Sequence, residues 1–224
     1  VGTFQYLAMK GDLESLKLFL DYTIKRHYPN IPNNKNQAIE LLKKVMLAQA
    51  DLIVEWIRVG FVHGVMNTDN MTITGTTFDY GPYGFIDQFN PSYTPNSSDI
   101  HGRYAYQQQP EIGFWNLNKL AETLIPLVGS DQLQEEIKQY QPIFNGFYRE
   151  EMGRKLGISI LDEDFSQLTQ ELFQLLINHH VDYSNFFRLL ANYPDKIEKF
   201  QFDAGMHSWL ENYLKLCERE GTNH

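Results

Sequence analysis

Apolar side chains recur at three- and four-residue intervals through most of this chain, which is the spacing of one face of an α-helix. Behind a leading segment at residues 1–10, a helix is predicted to begin after Asp12, a favourable N-cap, and to end near Tyr28. A longer helix is predicted from about Asn36 to Val59, because its apolar stripe continues as far as Gly60. That stripe comprises Ile39, Leu42, Met46, Ala50, Ile53 and Ile57.

Helical spacing is lost in residues 88–110, which contain several prolines and polar residues. A loop of that length inside a domain is usually functional or mobile. Helical spacing then returns, and Pro142 is expected to kink or divide one of the helices that follow. The predicted helices are 112–129, 133–156, 165–180, 183–193, which Pro194 should stop, and 203–218.

The stretch of residues 63–87 separates the two helical parts. Residues 72–78 are mainly β-branched and Gly75 can supply a turn, so a small β-hairpin is predicted there. Asn70 precedes this hairpin and Asp79 follows it, which would bring an amide oxygen and a carboxylate to one cation. Mg²⁺ prefers such oxygen ligands and commonly takes only one or two from protein. The predicted fold class is therefore mainly α, with a small β-hairpin that carries the polar cluster.

Composition narrows the class of protein. A hydrophobic content of 42% indicates a packed globular chain, and the formal charge of −9 argues against a nucleic-acid partner. The lone cysteine, Cys217, excludes an internal disulfide. No apolar run reaches the length of a transmembrane helix, so no membrane partner is expected.

Two motifs of kinase-like enzymes match residues 63–81. The first is H-G-D-x-x-x-x-N or H-R-D-x-x-x-x-N, whose Asp takes the substrate proton and whose Asn binds metal; the second is a D-F-G whose Asp binds metal. With His63-Gly64 on the first two positions, Asn70 falls on the metal-binding Asn. Asp79-Tyr80-Gly81 follows as a variant of the second motif. The spacing predicts a nucleotide-phosphate site in a kinase-like lobe.

The position of the usual catalytic base is altered. It is occupied by Val65, and a valine side chain cannot take a proton. The nearest carboxylate is that of Asp69, directly before Asn70. Ordinary phosphorylation of a hydroxyl group with the usual geometry is therefore not expected, whereas binding of nucleotide and metal is.

Long stretches of the chain resemble the selenoprotein O family of protein adenylyltransferases, whose fold is kinase-like and which were once regarded as pseudokinases. The resemblance covers at least the first half of the chain, and its motifs are long and specific. They are Val1 to Phe4, Gly60 to Met71, Asp79 to Asp87, Gly102 to Tyr106, Gln109-Pro110 and Trp115 to Leu117.

The resemblance implies an activity and roles for three residues. The activity is transfer of AMP from ATP to hydroxyl side chains of other proteins, with Mg²⁺ or Mn²⁺. Asp69 would be the proton acceptor, Asn70 a metal ligand, and Asp79 a ligand of both metal and nucleotide. The location would be cytoplasmic in a bacterium and mitochondrial in a eukaryote.

The family places its Gly-rich loop and its ATP lysine before the point that corresponds to Val1. Residues 1–224 are therefore expected to be a single C-lobe domain, a fragment inactive alone. Some members end in a redox-active cysteine or selenocysteine, and Cys217 does not match that position. Two other functions stay open: a phosphotransferase that uses Asp69 in a shifted role, and a non-catalytic nucleotide-binding or protein-interaction module.

Several other residues have simple structural interpretations. His63 is expected to bond nearby backbone rather than a metal, and residues 162–164 to cap a helix. Arg103 is compatible with a phosphate, a substrate protein or a salt bridge inside the long loop. Core positions are expected for Trp56, Trp115 and Trp209.

Overall fold

The computed structural model describes residues 1–192 and 204–221. It is mainly helical, with two short strands, β1 (Phe61–Val62) and β2 (Gly84–Phe85), and two 3₁₀ turns at Thr68–Asn70 and Tyr106–Gln108. The helices are α1 (Gly2–Met9), α2 (Leu13–His27), α3 (Gln37–Val59), α4 (Gln109–Val128), α5 (Ser130–Ile137), α6 (Tyr140–Leu156), α7 (Glu163–Asn178), α8 (Tyr183–Leu190) and α9 (Ala204–Glu220).

Helix α3 lies at the centre of the packing, where it contacts α4, α5 and α6. Its apolar stripe is buried as predicted, and burial of each of its Ile, Leu and Met side chains stabilises the fold by roughly 1.5–3 kcal/mol. The helix ends at Gly60, whose left-handed φ of 74° stops the helix and turns the chain directly into β1.

The predicted helix ends agree with the structure where a cap marks them. Asp12 and Asp162 accept hydrogen bonds from backbone N–H groups at the starts of α2 and α7. The predicted helix at 133–156 is divided, but between α5 and α6 rather than at Pro142. That proline falls in the first turn of α6, where its missing N–H costs no hydrogen bond. Residues 193 and 194, where α8 was predicted to stop, lie outside the described residues.

One helix was not predicted, and one expected core position was wrong. Residues 2–9 form helix α1, which the apolar pattern of the leading segment did not predict. Of the three tryptophans expected in the core, Trp56 and Trp209 are 5% and 2% exposed, but Trp115 is 37% exposed.

The small β element is present, but its position differs from the predicted hairpin. The strands β1 and β2 pair antiparallel, with Phe61 opposite Phe85, and they enclose the motifs instead of lying between them. Residues 72–76 form a turn without strands, in which the Thr72 hydroxyl accepts from the Thr76 N–H at 3.0 Å and donates to its carbonyl at 2.9 Å. Threonine side chains thus satisfy backbone groups that a β-ladder would otherwise pair.

Within residues 1–192 and 204–221, every helix is too short or too polar to cross a lipid bilayer.

Candidate active site

The C-terminal end of α3 fixes where the candidate site begins. The hydroxyls of Tyr106 and Tyr183 both donate to the Ile57 carbonyl, at 2.8 and 3.1 Å. Lys155 donates to the Arg58 carbonyl and lies over the Tyr183 ring, with its Nζ 4.1 Å from the ring centroid. Burial, with the nearby Arg58, lowers the pKa of Lys155 to about 7. The Ile57 carbonyl also accepts from the Gly60 N–H at 3.2 Å, so these side chains add hydrogen bonds to the last turn of the helix and hold the start of β1 in place.

Two buried amide side chains from α4 hold the segment that follows. Gln109, which is 0% exposed, accepts from the His63 N–H and donates to the Phe61 carbonyl, both at 3.0 Å. Asn116 donates to the Met66 carbonyl at 2.9 Å. Backbone that turns away from a sheet this short needs other partners, and α4 supplies them.

The His63 ring joins the two motifs. Its Nδ1 accepts from the Val65 N–H at 3.3 Å, so Nε2 carries the proton and donates to the Phe78 carbonyl at 3.0 Å. Burial lowers the pKa of His63, which favours this neutral form. Both ring nitrogens are thus engaged with backbone, which confirms the structural role expected for His63.

Asn70 lies at the end of the 3₁₀ turn Thr68–Asn70 with its amide orientation fixed. Its Nδ2 donates to the Val65 carbonyl at 3.0 Å, which leaves Oδ1 as the acceptor not used in that bond. Asp69, one residue earlier, is exposed. Helix α1 passes close to it, because a Cβ on Gly2 would lie 3.3 Å from the Asp69 Cα.

Asp79 adopts a left-handed conformation, with a φ of 56°. Aspartate is among the few residue types that tolerate this region. Hydrogen bonds on both sides hold this conformation. His63 donates to the Phe78 carbonyl, and the Gly81 N–H donates to the Asp79 carbonyl at 2.8 Å. The Asp79 side chain is exposed and makes no hydrogen bond to any residue that the structure describes.

The donor atoms of Asn70 and Asp79 fit a hard divalent cation that also binds phosphate. Among the described residues no three His, Cys, Asp or Glu side chains form a group that could hold a metal alone. An amide oxygen and a carboxylate match the one or two protein ligands that Mg²⁺ takes when phosphate supplies the others. The hydrogen bonds of His63 tie Val65, which holds Asn70, to Phe78, which precedes Asp79.

An exposed aromatic cluster lies beside Asp79. The rings of Tyr83 and Phe85 lie 5.9 and 5.4 Å from that of Phe61, and Tyr80 lies 5.4 Å from Tyr83. Tyr80, Tyr83 and Phe85 are each about half exposed. Apolar surface of this kind next to a polar site is typical of ligand or partner contacts.

The sequence interpretation did not find the amides that hold the site. Asn116 carried a signal, because it is a polar residue on the buried face of an otherwise apolar helix, next to Leu117 and Leu120. For Gln109 the only signal in the sequence was its position beside Pro110 at the start of a helix. Their partners are 50 and 46 positions away in the chain, so no local pattern identifies them.

Comparison with known proteins supplies a family and relatives. The family model described as protein adenylyltransferase SelO matches residues 1–219. The protein nucleotidyltransferase YdiU of Vibrio atlanticus (strain LGP32) is 39% identical over 99% of this chain and 47% of its own length. Those of Shouchella clausii (strain KSM-K16) and Bacillus cytotoxicus are 40% and 42% identical, each over 98% of this chain and 46% of their own length. The chain therefore spans about half the length of these curated relatives.

Proposed function

The chain belongs to the SelO family of protein adenylyltransferases, and from that membership we propose that its full-length protein transfers AMP from ATP to hydroxyl side chains of target proteins. Residues 1–224 would supply the kinase-like C-lobe as a single domain. Parts of the full-length protein outside this chain would complete the ATP site, so this chain alone would be inactive.

The observation that carries the proposal is the hydrogen-bond network of His63. The network ties the segment of Asn70 to that of Asp79. The Asn70 Oδ1 and the Asp79 carboxylate take no part in these hydrogen bonds. Asn70 and Asp79 would hold Mg²⁺ or Mn²⁺, and Asp79 would thereby also contact the nucleotide. The bound cation would neutralise charge on the phosphates.

Asp69 is the residue proposed to take the proton. Its exposed carboxylate follows the anchored segment that ends at Met66, and Val65 at the usual base position offers no acceptor. As the acceptor hydroxyl loses its proton to Asp69, its oxygen bonds to the α-phosphorus and the bond from that phosphorus to the bridging oxygen breaks. The products are a protein–AMP phosphodiester and pyrophosphate.

ATP labelled on the α- or the γ-phosphate tests this activity in the full-length protein. Label from the α-phosphate on an acceptor protein is expected, and label from the γ-phosphate alone would indicate a phosphotransferase instead. Asp79→Ala should abolish metal-dependent ATP binding and transfer. Asp69→Asn should abolish transfer but retain ATP binding, because the proposed role of Asp69 is only in proton transfer.

Asp87→Ala is the matched control, since its carboxylate is exposed and lies outside the proposed site. It should transfer AMP as the wild type does. Full activity in Asp79→Ala would contradict the site assignment.

One observation favours a second function, a non-catalytic nucleotide-binding module: the usual base position holds Val65. ATP binding without transfer of either label would support that function.

A further inference from the structure

An exposed arginine lies against an exposed tryptophan at the edge of the candidate site. The Cζ of Arg103, in the loop that precedes α4, is 4.8 Å from the centroid of the Trp115 ring and 5.6 Å from that of Tyr104. Trp115 is 37% exposed, whereas the side chains on the inner face of its helix are buried. Lys119, one turn further along α4, lies 5.7 Å from the same ring.

The Arg103 guanidinium has no carboxylate partner in the described part of the chain. The nearest acidic side chain in the loop, Asp99, is occupied by the backbone N–H groups of Arg103 and Tyr104, at 2.9 and 2.7 Å. Lys119 is paired with Glu122 at 2.8 Å. Arg103 therefore offers a positioned cation with unused donors on a protein of formal charge −9.

This surface is joined to the segment that carries Asp69. The hydroxyl of Tyr104, next to Arg103, donates to the Asn67 Oδ1 at 2.6 Å. Asn116, next to Trp115, donates to the Met66 carbonyl. The loop that carries Arg103 and the helix that carries Trp115 are thus both bonded to residues directly before the 3₁₀ turn of Asp69.

We propose that Arg103, held against Trp115, binds a carboxylate of the acceptor protein, so that hydroxyl groups near an acidic side chain are the preferred sites of modification. The inference rests on the proposed transfer of AMP to proteins and names a feature of its substrates. A guanidinium stacked by its face on an aromatic ring keeps its N–H edge free for the two parallel bonds that a carboxylate accepts. The exposed Ile100 in the same loop adds an apolar contact for the acceptor chain.

A positional peptide library tests this preference. Peptides with one Ser, Thr or Tyr and with Glu or Lys at each flanking position are incubated with the full-length protein and α-labelled ATP. Wild type is expected to modify its best Glu-containing peptide about tenfold better than the matched Lys-containing one, the effect of one charge-assisted contact. Arg103→Ala should remove the preference, Arg103→Lys should keep part of it, and Arg103→Glu should reverse it towards Lys.

Arg26→Ala is the matched control, because Arg26 also lies over a tyrosine ring, that of Tyr22, but on α2. It should leave the preference unchanged. A phosphate of ATP is the other anion that Arg103 could bind. If Arg103→Ala raises the KM for ATP and leaves the Glu preference intact, the proposal is wrong, and a wild type without any preference contradicts it as well.

A binding measurement separates failure of this inference from failure of the proposed function. Fluorescently labelled Glu- and Lys-containing peptides are titrated with the full-length protein, and anisotropy reports binding without any transfer. Weaker binding of the Glu peptide by Arg103→Glu supports the inference even if no label is transferred. Equal binding of both peptides by wild type and variant overturns the inference even if AMP transfer is observed.

Discussion

The two halves of the candidate site differ in how they are held. Residues 61–73 are largely buried, and side chains from other parts of the chain bond their backbone at many positions. Residues 76–83 are largely exposed. In the described part of the chain, side-chain hydrogen bonds join them to other segments only at Thr76, which bonds Thr72 and Thr74, at Thr77, which bonds Trp56 at 2.8 Å, and at Phe78, which bonds His63. The side chains that bond the first half from outside are Tyr28, Gln49, Asn96, Tyr104, Gln109 and Asn116.

This difference suits two roles in the proposed site. The proton transfer proposed for Asp69 would require that this residue keep its place, and a segment bonded along its length would provide that rigidity. Binding and release of a nucleotide, as proposed, would be served by a segment with few buried contacts, which opens at a low cost in free energy. Substitutions that affect the first half should therefore reduce stability, whereas those in the exposed half should leave stability nearly unchanged.

Gln109→Leu should give the largest effect. The substitution removes the partners of the His63 N–H and the Phe61 carbonyl, and each buried group left unpaired costs about 1–3 kcal/mol. The free energy of unfolding, measured by urea denaturation of the full-length protein, should fall accordingly, and the proposed AMP transfer should fall with it. Gln107→Leu, at an exposed neighbouring position, should change stability by less than about 0.5 kcal/mol. Equal stability of the two variants would remove the distinction between the halves.

Gly64→Ala should rank second. Gly64 has a φ of 81°, and a Cβ there would lie 2.3 Å from the carbonyl oxygen of Pro82, in the exposed half. A left-handed conformation alone costs about 1–3 kcal/mol in a residue other than glycine, and the contact with Pro82 adds to it. Gly81→Ala is the control, because its Cβ would meet nothing within 4 Å. Urea denaturation should show a clear loss of stability for Gly64→Ala and almost none for Gly81→Ala. The opposite order would contradict the conclusion that residues 61–73 are the more firmly held half.

The sequence predicted the parts of the fold that depend on local pattern. The bounds of α3 follow from its apolar stripe and Gly60, and the start of α2 follows from the Asp12 cap. The predicted hairpin was misplaced because threonine hydroxyls compete with strand pairing at Thr72, which β-propensity does not include. Trp115 was misassigned because the ring contacts Arg103 on the outer surface of α4, and helical spacing alone did not exclude a core position.

The candidate site shows the same division. Asn70 and Asp79 were selected by motif spacing, and their joint binding of a cation stays a prediction. The support of the site by Gln109 and Asn116 could not be predicted, because it depends on how α4 packs beside β1. Local pattern thus identified the candidate reactive side chains, and tertiary structure was needed to find what holds them.

The link between the halves gives the smallest effect, and it depends on pH. Burial lowers the pKa of His63 from 6.5, so the folded protein favours the neutral ring, whose Nδ1 accepts from Val65. Its contribution to stability is fully present above pH 6.5 and is lost as the pH falls towards the lower pKa of the folded state, by at most about 1.4 kcal/mol for each pH unit between the two values. Urea denaturation of wild type and His63→Gln at pH 7.5 and pH 5 should show a steeper loss for wild type, because glutamine cannot titrate. Equal losses of stability in the two proteins would mean that protonation of His63 does not weaken the contact between residues 61–73 and residues 76–83.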